Sequence, residues 1–221
     1  MSSPLFDTIH AVPDGSLLCC SREERASTVG RVGTELTSRA GLDHGAACVL
    51  VTGAPGAGKS TVSRLVAQAL SRSARLDAYF VSTLVVSGYV WPLGEPADEA
   101  ARQVQLLNTN LCALAANFAD AGFTPVVDVV VPDGQQLAEF RRAMAAQGLL
   151  LVVLDPGSAV CRDRNAVRAP EEQFFFDSYE ELRESMQQGF GNLGWWFDTS
   201  DLTPEQTAQR ILDEAPIRAV I

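Results

Sequence analysis

Of the 17 lysine and arginine side chains in this 221-residue chain, a single one is a lysine, Lys59. It stands in Gly53-Ala54-Pro55-Gly56-Ala57-Gly58-Lys59-Ser60-Thr61, which matches the phosphate-binding pattern G-x-x-x-x-G-K-[ST] in full. The chemistry served by that spacing is the gripping of a polyphosphate. Glycines let successive backbone N–H groups turn inward around an anion, and a helix start adds the positive end of its dipole. Lysine supplies a compact charge on a flexible stem that follows a phosphoryl group, whereas a guanidinium is bulkier and planar. On this reading Gly53, Pro55, Gly56, Ala57, Gly58, Lys59, Ser60 and Thr61 bind the nucleotide. Lys59 reaches the β- and γ-phosphates and the Ser60 hydroxyl holds Mg²⁺.

Other residues carry chemistry at a distance in sequence. Asp128 interrupts the apolar run Val126-Val127-Asp128-Val129-Val130-Val131. An ionised group there needs a partner, because an unpaired buried charge is costly. Magnesium, one of its waters, a substrate hydroxyl or a structural hydrogen bond to a neighbouring loop would each serve. Asp155, followed by Pro156 and Gly157, reads as a turn residue. Arg162, Arg164 and Arg168 follow a second apolar run, and Arg164 and Arg168 share a face if the segment is helical. They are placed to neutralise charge on phosphoryl oxygens during transfer, or to form a solvated face with Asp163, Glu171 and Glu172. Gln103, Asn110 and Asn117 recur at a spacing of seven and either line a cleft or form a polar margin.

These groups need a frame. The apolar run 46–52 reads as a buried parallel strand, and 60–71 as a helix with Val62, Leu65, Val66, Ala69 and Leu70 on one face. A second strand is expected within 75–84, centred on Ala78-Tyr79-Phe80-Val81, followed by a breaker-rich loop over 88–96. A long helix follows over about 97–121, with Val104, Leu107, Leu111, Leu114 and Phe118 as its buried stripe. Strands over 125–131, 149–154 and 195–198 alternate with helices over 134–147 and 203–214, the last opened by Thr203-Pro204-Glu205. The alternation predicts an α/β fold, a P-loop NTPase three-layer sandwich with a five-stranded parallel sheet. Residues 46–221 make that domain, and 1–45 precede it as an N-terminal helical extension. A helix over 21–40, opened by a capping box of Ser21 and Glu24, is expected to pack on the sheet edge or to form a subunit contact, as in a homodimer.

Composition narrows the setting. An apolar content of 47%, a mean hydropathy of +0.07 and no long apolar run describe a globule without a membrane span. A net charge of −10 disfavours non-specific nucleic-acid binding, so the nucleotide must be held by a local positive pocket. The N-terminus shows no secretory pattern, and Cys19, Cys20, Cys48, Cys112 and Cys161 have no metal-ligand spacing. A reduced cytoplasmic compartment is the expectation. His10 and His44 are remote in sequence from the candidate chemistry, so imidazole catalysis is not expected.

The chain resembles the P-loop small-molecule kinases, in particular the group around chloramphenicol phosphotransferase and the tunicamycin-resistance-type ATPases. Gluconate and adenylylsulfate kinases are more distant relatives. The resemblance spans about residues 47–214. It rests on residues 53–61, on Ser87-Gly88-Tyr89-Val90, on Gly122-Phe123-Thr124-Pro125-Val126-Val127-Asp128, on Arg162 and Arg168, and on Asp198-Thr199-Ser200-Asp201-Leu202-Thr203-Pro204-Glu205. It implies ATP and Mg²⁺ as cofactors and a small molecule's hydroxyl as acceptor, on an antibiotic, nucleoside or sugar-like metabolite. It implies that Lys59, Asp128, Arg162 and Arg168 are catalytic, that Ser60 and Asp128 hold the metal, and that Arg164, Thr199 and Ser200 help bind the nucleotide, the last two bordering the base. Ser82, Tyr89, Trp91, Gln103 and Asn110 are the candidate acceptor contacts; for Tyr89 and Trp91 the alternative is that loop aromatics cap a core edge. One departure stands out. Many such kinases end their second strand on an aspartate that takes the acceptor's proton; Val81-Ser82-Thr83 stands there, and Asp77 is expected near the strand's start. Asp128 then serves as base, or electrostatics alone suffice. The rival is a nucleotide-dependent binding or resistance protein that hydrolyses ATP slowly and forms no phosphorylated product.

Overall fold

The computed structural model describes residues 42, 47–169, 173 and 175–221. The strands β1 (Cys48–Thr52), β2 (Ser73–Asp77), β3 (Thr124–Asp128), β4 (Leu149–Leu154) and β5 (Trp195–Phe197) form a five-stranded sheet in the order β2-β3-β1-β4-β5. Every pairing is parallel. The helices are α1 (Lys59–Ala69), α2 (Ala78–Ser82), α3 (Ala97–Asp120), α4 (Gly134–Ala143), α5 (Ser158–Ala166), α6 (Tyr179–Phe190) and α7 (Pro204–Arg218). Of the extension only Leu42 is described, and the expected helix over 21–40 lies outside the described residues.

Three layers follow from the pleat of the central strands. Val49 and Val51 of β1 point to one side and pack with Val62 and Val66 of α1 and Ile211 and Leu212 of α7. Cys48 and Leu50 point to the other and pack with Leu111 of α3, Phe140 of α4 and Phe190 of α6. A strand covered on both faces must be apolar at every position, which is why β1 and β4 read as unbroken hydrophobic runs. The three described cysteines, Cys48, Cys112 and Cys161, are free thiols. Among the described residues no helix is long and apolar enough to cross a membrane.

The sheet departs from the sequence reading at β2. The strand occupies Ser73–Asp77, and Ala78-Tyr79-Phe80-Val81, expected to be its centre, is the body of helix α2. Two forces set that boundary. Strand β2 is an edge strand whose ladder with β3 runs out at Asp77↔Asp128, so the backbone beyond it has no partner. The Asp77 carboxylate then accepts hydrogen bonds from Tyr79 N (2.9 Å) and Phe80 N (3.4 Å), capping α2. Such a cap contributes about 1 kcal/mol, enough to override a strand propensity that depends on context. The aromatic pair that suggested a buried strand is on the surface, Tyr79 69% and Phe80 68% exposed.

Two other departures matter. Strand β3 ends at Asp128 rather than running to Val131, so the carboxylate stands at the strand's C-terminal end instead of inside it. The chain beyond is held by Val131 N, which donates to Thr52 Oγ1 (3.0 Å). Helix α6 was not anticipated, because Tyr-Glu-Glu-Leu-Arg-Glu-Ser-Met-Gln-Gln-Gly-Phe is mostly polar and buries only Tyr179, Met186 and Phe190 fully. Its Gly189 lies against Gly134 at the start of α4, where an added Cβ would fall 2.3 Å from Gly134 N. That close crossing of α4 and α6 explains a glycine inside a helix.

Candidate active site

The loop after β1 is shaped by its glycines. Gly53, Gly56 and Gly58 have φ of 143°, 83° and 97°. A Cβ on Gly53 would lie 2.4 Å from Leu154 O, and one on Gly56 would lie 2.2 Å from Cys161 O. The loop is therefore seated against the end of β4 and the first turns of α5, with no room for a side chain. Gly58 faces open space. No side chain caps α1, so its first amides keep the anion-binding function of a helix start. We expect Gly56→Ala to unseat the loop, lowering both nucleotide affinity and melting temperature. Gly58→Ala strains only the backbone, at about 1–2 kcal/mol. Thermal melts and equilibrium nucleotide titration of the two variants test the contrast; equal effects would mean that the Cys161 contact does not hold the loop.

Lys59 opens α1, and its ammonium donates to Ala54 O (3.0 Å), folding back across the loop. Burial pushes its pKa below the usual lysine range; the Asp128 carboxylate opposes that shift, and the Arg168 charge adds to it. The charges of Asp128 and Arg168 thus both act on Lys59.

Asp128 is 3% exposed. The register puts Asp77 of β2 directly beside it, so two carboxylates stand on adjacent strand ends next to the P-loop strand. Two like charges that close need a counter-charge, and Arg75 provides it. Its NH2 group donates to Asp77 Oδ2 (2.7 Å) and to Asp128 Oδ2 (2.9 Å), and its Nε donates to Ser63 Oγ (3.0 Å). Ser63, fully buried on α1, lies 3.4 Å from the same Asp128 oxygen. This network was missed in the sequence, where Arg75 was one arginine among many. The alternation Arg75-Leu76-Asp77, with two charges on one face of a strand, was the available signal. Asp77 also stands at the end of β2 and not at its start, so the expected departure from the kinase pattern does not exist.

The residues suit a metal that arrives with its nucleotide. Among the described residues no group of three or more His, Cys, Asp or Glu side chains could hold a metal by itself. Magnesium keeps waters and phosphate oxygens and uses one or two protein ligands. The Ser60 hydroxyl at the start of α1 and the Asp128 carboxylate are groups of the required type.

The three arginines after β4 diverge. Arg162 pairs with Glu180 of α6 and lies over the Tyr179 ring at 5.1 Å. Arg164 donates to Thr199 O (3.1 Å) and Ser200 O (3.5 Å), tying α5 to the loop after β5. In that loop Thr199 Oγ1 is buried without a hydrogen-bond partner, a polar atom left open where the resemblance puts the base. Arg168, beyond the end of α5, is the one whose charge reaches Lys59. Asp155, expected as a turn residue, forms a fork with Arg183, with Nε to Oδ1 and NH2 to Oδ2 both 2.8 Å.

Ser82, Tyr89, Gln103 and Asn110 come together around one cleft between α2, the following loop and α3, with a cavity volume of about 210 Å³. Trp91 is exposed and does not line it. Gln103 braces the loop: its Oε1 accepts from Val90 N (2.9 Å), and its Nε2 donates to Gly88 O (2.8 Å) and Glu99 Oε1 (2.8 Å).

With a nucleotide loop at the strand ends, comparison with known proteins becomes informative. The model of a family described as an AAA domain matches residues 48–193, more than half of the chain. The chain belongs to the AAA domain family. This is broader than the phosphotransferase group that the sequence resembles. A search of curated proteins finds no match. Shikimate kinase from Acinetobacter baumannii is similar in fold, with a TM-score of 0.55 at 19% identity over 79% of this chain and 94% of that one. APS kinase from Mycobacterium tuberculosis, solved with AMPPNP and APS, gives 0.54 at 23% identity over 76% and 96%. The tunicamycin resistance protein of Deinococcus radiodurans gives 0.52 at 17% over 75% and 93%. At these identities the likeness describes the fold: this AAA domain has the architecture of small-molecule kinases.

Proposed function

We propose that the chain is an ATP-dependent phosphotransferase acting on a hydroxyl of a small molecule, with Mg²⁺ as its metal. The observation that carries this reading is the pair of carboxylates, Asp77 and Asp128, on neighbouring strand ends beside a complete P-loop. In the reaction an acceptor hydroxyl attacks the γ-phosphorus. The bond from phosphorus to the β–γ bridging oxygen breaks, nucleoside diphosphate leaves, and the hydroxyl proton passes to the Asp77 carboxylate. Lys59 and the loop amides hold the phosphates and stabilise charge that spreads over the transferred oxygens. Bound magnesium would neutralise phosphate charge, held by Ser60 and Asp128. Arg75 orients both carboxylates, and Arg164 fixes the Thr199–Ser200 side of the nucleotide pocket. The rival reading, a binding protein with slow ATP hydrolysis, drew its support from a missing carboxylate at the end of β2; Asp77 removes that support.

Stimulation of ATP turnover by a small alcohol, with stoichiometric phosphorylated product detected by mass spectrometry, is the expected result of an acceptor screen. ATP hydrolysis that no alcohol stimulates would favour the rival. The arginines offer a second check. Arg168→Ala should lower kcat roughly tenfold with little change in the KM for ATP, as befits a group that acts on charge developing during transfer. Arg162 is engaged in a solvent-exposed ion pair with Glu180 that water screens, and its alanine variant should lose less. Steady-state kinetics of both variants decide; equal losses would mean that Arg162 leaves Glu180 to join the closed site.

A further inference from the structure

We infer that the acceptor is an uncharged molecule with an apolar body, an aryl or alkyl alcohol, and not an anionic sugar, acid or nucleotide. The inference rests on the phosphotransfer reading and names the substrate class of its acceptor cleft. Val81, Leu84, Val85, Val104, Leu106 and Leu107 make half of the cleft's lining residues, and Val90 and Pro92 add to its apolar wall. Leu84 and Leu106 are 65% and 51% exposed, so their side chains are open to a ligand. A contiguous apolar surface of this kind on a soluble domain marks a binding site more often than chance exposure. The wall starts at α2, capped by Asp77, so Ser82 lies roughly 7 Å along the helix from the proposed base.

Charge excludes the alternative class. Between Ala78 and Asp120 the chain contains one basic residue, Arg102, against Glu95, Asp98, Glu99 and Asp120. Arg102 is already paired with Asp98 (3.0 Å) and Glu99 (2.8 Å). Among the described residues no charged side chain lines the cleft. An anion bound there would be desolvated without a counter-charge among the lining residues, which is costly. The polar side chains at the wall are Ser82, Tyr89, Gln103 and Asn110. Gln103 is spent on the loop, and Ser82 Oγ donates to Tyr79 O (2.7 Å). Asn110 makes no side-chain hydrogen bond among the described residues and lines the cleft. Its amide NH2 and C=O offer donors and an acceptor to a hydroxyl or carbonyl on an otherwise apolar molecule.

The test compares three acceptors, 3-phenoxy-1,2-propanediol, gluconate and glycerol, in turnover and in calorimetric binding to the full chain. The aryl diol should give phosphoester with a KM at least tenfold below that of gluconate or glycerol. A KM for gluconate equal to or below that of the diol overturns the inference and leaves the phosphotransfer reading standing. Diol binding without any phosphorylated product supports the cleft's chemistry and overturns phosphotransfer. Leu106→Glu should raise the diol KM, or its Kd, at least tenfold, with affinity for a non-hydrolysable ATP analogue as the folding control. An unchanged diol affinity in that variant would show that the acceptor lies elsewhere. If no diol binds, and sedimentation shows a dimer that Leu106→Glu dissociates, a second copy of the chain covers the cleft and the inference fails.

Discussion

Lys59→Ala lowers ATP turnover by about 10²-fold or more while the far-UV circular dichroism stays that of the parent chain. The magnitude is that of removing one preorganised electrostatic group from a phosphoryl-transfer site. No other lysine exists to substitute, and arginine is a poor replacement where a flexible point charge follows a moving phosphate. The fold should survive because the ammonium donates its hydrogen bond to Ala54 O, within its own loop. Removing a cation that burial already disfavours also relieves a cost in the unliganded protein. A variant that keeps more than about a tenth of parental turnover would sink the assignment of Lys59 to the phosphates.

Asp77→Asn lowers kcat by about 10²-fold or more, the usual contribution of a positioned general base, with the KM for ATP little changed. Asparagine is as good a helix cap as aspartate, so α2 keeps its cap from the side-chain oxygen; the ion pair with Arg75 is lost, and a thermal melt of the variant separates that loss of stability from the loss of chemistry. Asp128→Asn should behave differently, weakening magnesium-dependent turnover far more than nucleotide binding. Arg75→Ala is the third arm. It leaves two carboxylates side by side without their shared guanidinium and should cost about 3 kcal/mol of stability. That is the low end for breaking a buried pair, because a quarter of the Arg75 side chain remains exposed. Arg75→Lys should restore part of the stability but little of kcat, since an ammonium cannot reproduce the contacts to Asp77, Asp128 and Ser63 together. If Asp77→Asn retains full kcat, Asp77 is a cap and an ion-pair partner only, and the loose transition state proceeds without base help.

The parts of this protein that are local in sequence were legible there. The P-loop is a contiguous motif whose glycines and lysine have one physical use, and its flanks, apolar run and amphipathic helix, carry the periods of a buried strand and a one-sided helix. The β1, β4 and α3 elements, the five-stranded parallel sheet and the placing of Asp128 beside the P-loop strand followed from the same patterns. The α7 start was legible because Thr203 and Gln206 satisfy each other's backbone amides, a reciprocal cap written in four consecutive residues.

What depends on register was not. Tyr79, Phe80 and Val81 look like strand residues, and only the end of the β2–β3 ladder at Asp77↔Asp128 makes them a helix. The same register brings Arg75, Asp77, Asp128 and Ser63, separated by up to 65 residues, within hydrogen-bond distance. No period or motif encodes a pairing between strands so far apart. It is decided when the sheet closes, because one residue of slip would move the charges to the opposite face. The divergence of Arg162, Arg164 and Arg168 was likewise tertiary, set by the arrival of Glu180 on α6 and of the Thr199–Ser200 carbonyls after β5. The sequence by itself determined that this chain wraps a phosphate loop at the end of a parallel strand. Only the tertiary structure decided which carboxylates and cations face that loop, since electrostatic partners are chosen by distance in space and not by distance along the chain.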